Sequence, residues 1–136
     1  MKRKITKVFL CLFLILAFIT GCGRNNNGVE ENKSDHKKIS AQEAKSMIES
    51  NEDMVIIDVR EESEYNEGHI KNSLLLPLGK IEKDIEKVSE DKDKTILLYC
   101  RSGRRSSEAA TILTSLGYRN VYDFRGIIDW DYEIVK

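Results

Sequence analysis

Between Ile39 and Lys136 the chain carries short apolar runs that do not alternate with polar residues, and this constrains the fold more than any other feature. Met54-Val55-Ile56-Ile57 and Ile96-Leu97-Leu98-Tyr99 would present hydrophobic side chains on both faces of an extended strand, which a sheet buries only when it is covered on both sides. Segments with a helical period stand between them. Ser40-Ala41-Gln42-Glu43 has the spacing of a capping box and predicts a helix through about Glu49, with Ala44, Met47 and Ile48 on one face. A short helix is expected over Glu62–Glu67, stopped by Gly68, and an amphipathic segment over Ile81–Val88, where Ile81, Ile85 and Val88 recur among charges. Ser107–Leu116 predicts a longer helix, with Ala109, Ala110, Ile112, Leu113 and Leu116 inward and Gly117 as its stop. Strands are expected at Met54–Ile57, at Leu74–Leu76 closed by Pro77, at Thr95–Tyr99 and at Asn120–Phe124, the last followed by Trp130 and a short terminal helix. This alternation predicts an α/β domain, a doubly wound parallel sheet of about five strands with helices on both faces.

The N-terminus follows different rules. Met1–Lys7 is basic and Val8–Ile19 is an unbroken apolar run, shorter than the about 20 residues a spanning helix needs. That is the layout of a secretory leader, which is set aside from fold reasoning. Ile19-Thr20-Gly21-Cys22 follows directly and resembles the bacterial lipobox, in which a cysteine after small residues is lipidated and becomes the new N-terminus. On that reading residues 1–21 are removed and Cys22 carries acyl chains such as palmitate. Two or more such chains anchor stably, so the protein is expected to be extracytoplasmic and tethered to the cell membrane. Residues 24–38 hold one apolar side chain, Val29, among Asn, Lys and Glu, and are expected to form a disordered tether reaching roughly 20 Å, with His36 solvated within it. The organisation is therefore leader (1–21), lipid-bearing cysteine and tether (22–38), and folded domain (39–136).

The chain has 22 basic and 23 acidic residues; loss of Lys2, Arg3, Lys4 and Lys7 with the leader leaves 18 against 23, a net charge of −5. An acidic domain of this kind argues against a nucleic-acid partner. Of the three cysteines, Cys11 would leave with the leader and Cys22 would become a thioether. Cys100 is then the only thiol of the mature protein, with no intramolecular disulfide open to it.

Against this acidic background, Cys100-Arg101-Ser102-Gly103-Arg104-Arg105-Ser106 places three arginines beside the thiol. The segment follows an expected strand, the position at which parallel sheets bind ligands. A loop entering a helix offers unbonded N–H groups and the positive end of the helix dipole. Gly103 permits successive amides to converge into an anion nest, and such surroundings drive a thiol toward thiolate. Arg101, Arg104 and Arg105 suit an incoming sulfonate, phosphate or carboxylate.

Other thiol chemistries fit less well. A protease would need a histidine base, and His69, in Gly68-His69-Ile70, reads as structural. One thiol and two scattered histidines make no metal site, and a dithiol redox site lacks its second cysteine. A tyrosine-phosphatase-type loop would carry its arginine six residues after the cysteine, where Ser106 stands. The alternatives are a phosphatase or arsenate-reductase enzyme, a non-catalytic anion- or partner-binding module, and a redox role for the thiol.

Taken together the motifs resemble the single-domain rhodanese-like sulfurtransferases over residues 39–136. Asp58-Val59-Arg60-Glu61, followed by Glu64-Tyr65 and Gly68-His69-Ile70, is similar to that family's first signature, and Cys100 to Ser106 to its active-site loop. Leu116-Gly117-Tyr118 and Asn120-Val121 resemble the segment after the active-site helix. Two places depart. Asn72-Ser73 and Leu75 replace a usual Gly-Ala and later Asn, and Arg125-Gly126 stands where a Gly-Gly pair is usual, with Trp130 four residues beyond Gly126. The resemblance implies a rhodanese-like fold and a thiosulfate sulfurtransferase. Cys100 would take a sulfane sulfur from thiosulfate or a similar small anionic donor and hold it as a persulfide cradled by Arg101, Ser102, Gly103, Arg104 and Arg105. A thiol or cyanide acceptor would then remove it. By the same resemblance Asp58 and Arg60 would brace the loop, although as charged residues they equally fit an ordinary strand-end ion pair. No cofactor or metal is implied, and the protein is expected to be a monomer that meets the membrane through its lipid anchor alone.

Overall fold

The computed structural model describes residues 36–50 and 53–136; the leader, Cys11, Cys22 and most of the expected tether lie outside the described residues. In chain order the elements are β1 (Lys37–Lys38), α1 (Ala41–Ser50), β2 (Met54–Asp58), α2 (Glu62–Glu67), β3 (His69–Ile70), β4 (Leu74–Leu75), α3 (Ile81–Val88), β5 (Thr95–Cys100), α4 (Arg104–Ser115), β6 (Asn120–Gly126) and β7 (Ile134–Val135). Five strands form a sheet in the order β1-β6-β5-β2-β4, and every neighbouring pair is parallel. A separate antiparallel pair joins β3 to β7, with His69 opposite Val135.

The strand that ends in the cysteine explains the non-alternating pattern. Ile96, Leu98 and Cys100 of β5 enter one core with Ile81 and Ile85 of α3 and Ala109, Ala110 and Leu113 of α4. Leu97 and Tyr99, on the other face, enter a second core with Ala44 of α1, Phe124 and Trp130. Both faces are covered, so each of these aliphatic side chains contributes about 1.5–3 kcal/mol by burial. Position along β5 thus decides that the Cys100 side chain lies on the α3/α4 side.

Local chemistry sets the helix entries. At α1 the Glu43 N–H donates to Ser40 Oγ (3.1 Å) while the Ser40 N–H donates to Glu43 Oε2 (2.8 Å), the reciprocal box read from the sequence. A second box opens α2, where the Glu61 N–H donates to Glu64 Oε2 at 3.1 Å. Among the described residues no helix is long and apolar enough to cross a membrane.

Four local expectations are corrected. Helix α4 begins at Arg104 and not at Ser107, because Gly103 adopts φ 104° and turns the chain at once into the helix, whose first bond runs from the Ser107 N–H to the Gly103 carbonyl at 3.1 Å. The polar first turn carries no hydrophobic period, which is why the sequence pattern starts late. Lys37 and Lys38, assigned by composition to the tether, pair with Tyr122 and Asp123 of β6 as an edge strand, a position that tolerates lysines. His36 is buried, not solvated, and burial holds its pKa below the ordinary value. The expected terminal helix is a single 3-10 turn, Ile127–Asp129, after which the chain closes as β7.

Candidate active site

Cys100 is the last residue of β5, in register with Gly126 of β6 across an irregularity between Leu98 and Cys100. Such a bulge re-aims a side chain at a strand end. The residue is 1% exposed, and its Sγ accepts the Gly103 N–H at 3.0 Å. Gly103 caps α4, so the amide of Ser106, three residues on, is one of the helix's unbonded N-terminal donors. The Ser106 Oγ lies 3.7 Å from Sγ, 3.2 Å from the Gly103 carbonyl oxygen and 3.1 Å from that of Arg125, and its single hydrogen can be given to any one of the three. Burial pushes the Cys100 thiol up, but hydrogen bonding from the Ser106 amide and hydroxyl and from the Gly103 and Ser102 amides outweighs it. The net effect holds the thiol below its ordinary value.

The loop is held by the end of β6. A Cβ built on Gly126 would lie 2.3 Å from the Arg101 carbonyl oxygen and 2.7 Å from Ser102 Cα, so only glycine allows these backbones to approach so closely. Arg125, the residue before it, adopts φ 74°, the left-handed region that a bulky side chain seldom occupies. Its N–H donates to Asp123 Oδ1 at 2.9 Å.

The three loop arginines have separate surroundings. Arg105 gives two hydrogen bonds to Glu64, at 2.6 and 2.8 Å, linking the first turn of α4 to that of α2. Those bonds, with help from the Glu61 amide and the Arg60 charge, hold the Glu64 carboxyl down at about 2. Arg104 is exposed and lies 3.6 Å from Glu108, one helical turn on. Arg101 is exposed, and among the described residues its guanidinium has no hydrogen bond or ion pair. Two of the three arginines are thus paired with carboxylates, and the groups that hydrogen-bond the sulfur are backbone amides and a hydroxyl.

Asp58 and Arg60 form a buried pair, with Arg60 Nη2 2.7 Å from Asp58 Oδ2 and Nε 3.0 Å from Oδ1. Arg60 also donates to the Gly68 carbonyl at 2.8 Å and lies 5.8 Å from the centre of the Tyr99 ring. The pair thus secures the α2–β3 corner and packs beneath the residue that precedes the cysteine. The Tyr99 hydroxyl accepts the Ile70 N–H at 3.1 Å and meets Ser73 Oγ at 3.0 Å. His69 stacks on Tyr65 with ring centres 3.7 Å apart, and its Nδ1 lies 3.1 Å from the Tyr65 carbonyl. A carbonyl can only accept, so Nδ1 carries the proton in a structural hydrogen bond. Among the described residues no group of three or more His, Cys, Asp or Glu side chains is placed to hold a metal ion.

The sequence reading did not single out Ser106 or Gly126, and it quoted Glu64 only as part of a motif. Ser106 was within reach, because taking Gly103 as the helix cap puts Ser106 in the first turn with its amide directed back at the strand end. Nothing local marks Glu64 or Gly126, which meet the loop from 41 residues before Arg105 and from the end of the next strand.

The chain is similar in sequence and fold to known proteins. Thiosulfate sulfurtransferase GlpE of Coxiella burnetii is 38% identical over 91 residues, covering 67% of this chain and 82% of that protein. A mitochondrial relative in Schizosaccharomyces pombe is 41% identical over 92 residues, and the chain spans 65% of its length, just under two thirds. Among solved structures, a rhodanese with anions from E. coli matches with a TM-score of 0.58 and 32% identity, over 61% of this chain and 98% of that one. The rhodanese-like domain matches residues 40–130, a span that runs from the α1 cap through the cysteine loop to Trp130, and the chain belongs to the rhodanese-like domain family.

Proposed function

We propose that the protein is a sulfurtransferase that carries a sulfane sulfur on Cys100. The observation that carries this reading is the sulfur's setting: Sγ sits at the N-terminus of α4 with a Gly103 N–H at 3.0 Å and is held toward its anionic form despite near-complete burial. The relative named as a thiosulfate sulfurtransferase supports it. With thiosulfate as donor, the Cys100 thiolate attacks the terminal sulfur, and the S–S bond of thiosulfate breaks with its electron pair leaving on sulfite. The new S–S bond makes Cys100 a persulfide, whose outer sulfur carries the negative charge. A cyanide or thiolate acceptor then attacks that outer sulfur, forming thiocyanate or a new persulfide, and the bonding pair returns to Cys100 as thiolate. The amides that stabilise the thiolate also stabilise each anionic stage, and no electrons are gained or lost overall.

Arg105 separates this reading from phosphate chemistry. Its Nη1 and Nη2 each donate to Glu64, so that edge of the guanidinium is already occupied and is not the one to grip a phosphoryl group. Intact-mass measurement of the purified protein before and after thiosulfate should show one added sulfur atom, lost on adding cyanide and absent in Cys100→Ser. A Cys100→Ser protein that still transfers sulfur would overturn the proposal, as would aryl phosphate hydrolysis exceeding sulfur transfer.

The site would act outside the cytoplasm, held by lipidated Cys22 through the 24–38 tether, in support of which stand the apolar Val8–Ile19 run and the Gly21-Cys22 junction. Fractionation of cells making the full chain should place it with membranes, and Cys22→Ala should release it. Equal membrane retention of the two would refute the anchor.

A further inference from the structure

We infer that Glu64 is a positioning residue for the sulfur chemistry, which sets how much positive charge Cys100 meets by holding both Nη groups of Arg105. Its part in the two half-reactions rests on the proposed use of Cys100 as a sulfur carrier, whereas its hold on the thiol does not. Glu64 Oε2 accepts the Glu61 N–H at 3.1 Å and Arg105 Nη1 at 2.6 Å, and Oε1 accepts Arg105 Nη2 at 2.8 Å. The entry of α2 thus fixes the carboxylate, and the guanidinium it grips belongs to the first turn of α4. Arg105 stands two residues after Gly103, whose N–H reaches Sγ at 3.0 Å, and directly before Ser106, whose amide and hydroxyl also favour the thiolate.

The Cys100 and Arg105 charges act on one another through space. Glu64 and Arg105 are only 23% and 21% exposed, so solvent screens them less than a surface pair. Other charged groups on the elements around the sulfur are committed elsewhere or turned to water. At the end of β2 Asp58 is taken by Arg60, and in β6 Asp123 takes the Arg125 N–H. Arg104 lies beside Glu108, and Arg101, Arg125 and Glu61 are exposed. Helix α3 brings Ile81 and Ile85 to the core that holds Cys100; its Asp84 pairs with Lys87, and Glu82, Lys83 and Glu86 are exposed.

A more acidic thiol is a better leaving group and a weaker nucleophile. A sulfur-carrying Cys100 needs both properties, first to attack the donor and then to leave from its persulfide. By offsetting the Arg105 charge, Glu64 keeps the thiolate nucleophilic while the amides keep it anionic. The sign of the effect separates this role from that of a brace. If Glu64 only held the loop in place, its loss would draw the Gly103 and Ser106 amides off the sulfur and make the thiol less acidic. Loss of an offsetting negative charge makes it more acidic.

The test is the pH midpoint for Cys100 alkylation by iodoacetamide in wild type, Glu64→Gln, Arg105→Gln and the double variant, with thermal melting of each. Glu64→Gln should move the midpoint down by about 0.5–1 pH unit, Arg105→Gln should move it up by a similar amount, and the double variant should return close to wild type. A midpoint that rises or stays in place in Glu64→Gln would overturn the inference, as would both single variants moving the same way. Should Glu64→Gln fail to fold, the double variant must still lie below Arg105→Gln, and equal midpoints for those two would overturn it. Iodoacetamide needs no sulfur donor. A wild-type protein that gained no sulfur from thiosulfate would therefore refute the carrier reading alone, and the alkylation midpoints would still decide the role of Glu64.

Discussion

Replacing Gly126 with alanine asks whether the loop's position makes the sulfur reactive. The added Cβ would lie 2.3 Å from the Arg101 carbonyl oxygen, whereas even a favourable carbon–oxygen contact is about 3.3 Å. Either the loop or the end of β6 must therefore shift by about 1 Å. Neither yields freely. The same Arg101 carbonyl accepts the Ile128 N–H at 3.3 Å, and Gly126 is in register with Cys100 itself. Overpacking of this kind destabilises by about 1–3 kcal/mol. The catalytic loss should be larger, because moving Arg101 and Ser102 carries the Gly103 N–H away from Sγ, and about 1 Å of misplacement can cost about a hundredfold in rate. Single-turnover persulfide formation with thiosulfate, measured alongside thermal melting, reads both effects. Gly79→Ala serves as the control, since nothing lies within 4 Å of an added Cβ there. A Gly126→Ala protein that forms persulfide at the wild-type rate would refute the argument that the β6 backbone positions the loop.

Glu64→Gln should remove an acid-sensitive contribution. Lowering a carboxyl from 4.5 to about 2 corresponds to roughly 3 kcal/mol, and partial solvent access to both side chains, 23% and 21% exposed, reduces this to about 1–2 kcal/mol. Because the folded-state pKa is depressed, this stability is present above about 4.5 and disappears as pH falls toward about 2. Urea titrations should show wild type ahead of Glu64→Gln at neutral pH and the two converging in strong acid; a constant gap would contradict the assignment. Ser106→Ala should move the pH midpoint for Cys100 alkylation upward, since a hydroxyl that favours the thiolate is lost while the Ser106 amide remains. The alkylation rate below that midpoint should drop about threefold to tenfold, and an unmoved midpoint would show that the backbone amides suffice.

What the sequence made legible is what depends on local period and composition. The two-sided burial of β5 was written in the unbroken Ile96–Tyr99 run, and the α1 box in Ser40 and Glu43, because neighbours along the chain decide both. Errors fell where a distant partner decides. Lys37 and Lys38 look like tether until β6 supplies an edge to pair with, and Ile134 and Val135 form a strand only because β3 lies opposite. The active loop shows both regimes at once. Its composition, one thiol beside three arginines, was plain from residues 100–106, but the partner that each of them takes was not. Spacing alone pointed away from a phosphatase, because Ser106 stands where an arginine would be needed. The fold adds a second reason, since the nearest arginine in sequence to that position, Arg105, is held through Nη1 and Nη2 by Glu64 from a different helix. The sulfur is held toward its anionic form by hydrogen bonds from the Ser106 amide and hydroxyl and from the Gly103 and Ser102 amides, and the Arg105 charge acts on it through space. Amides at a helix N-terminus bind phosphate as readily as a single anionic atom, so what distinguishes this loop from a phosphatase loop is the serine at position 106 and the Glu64 partner that Arg105 holds.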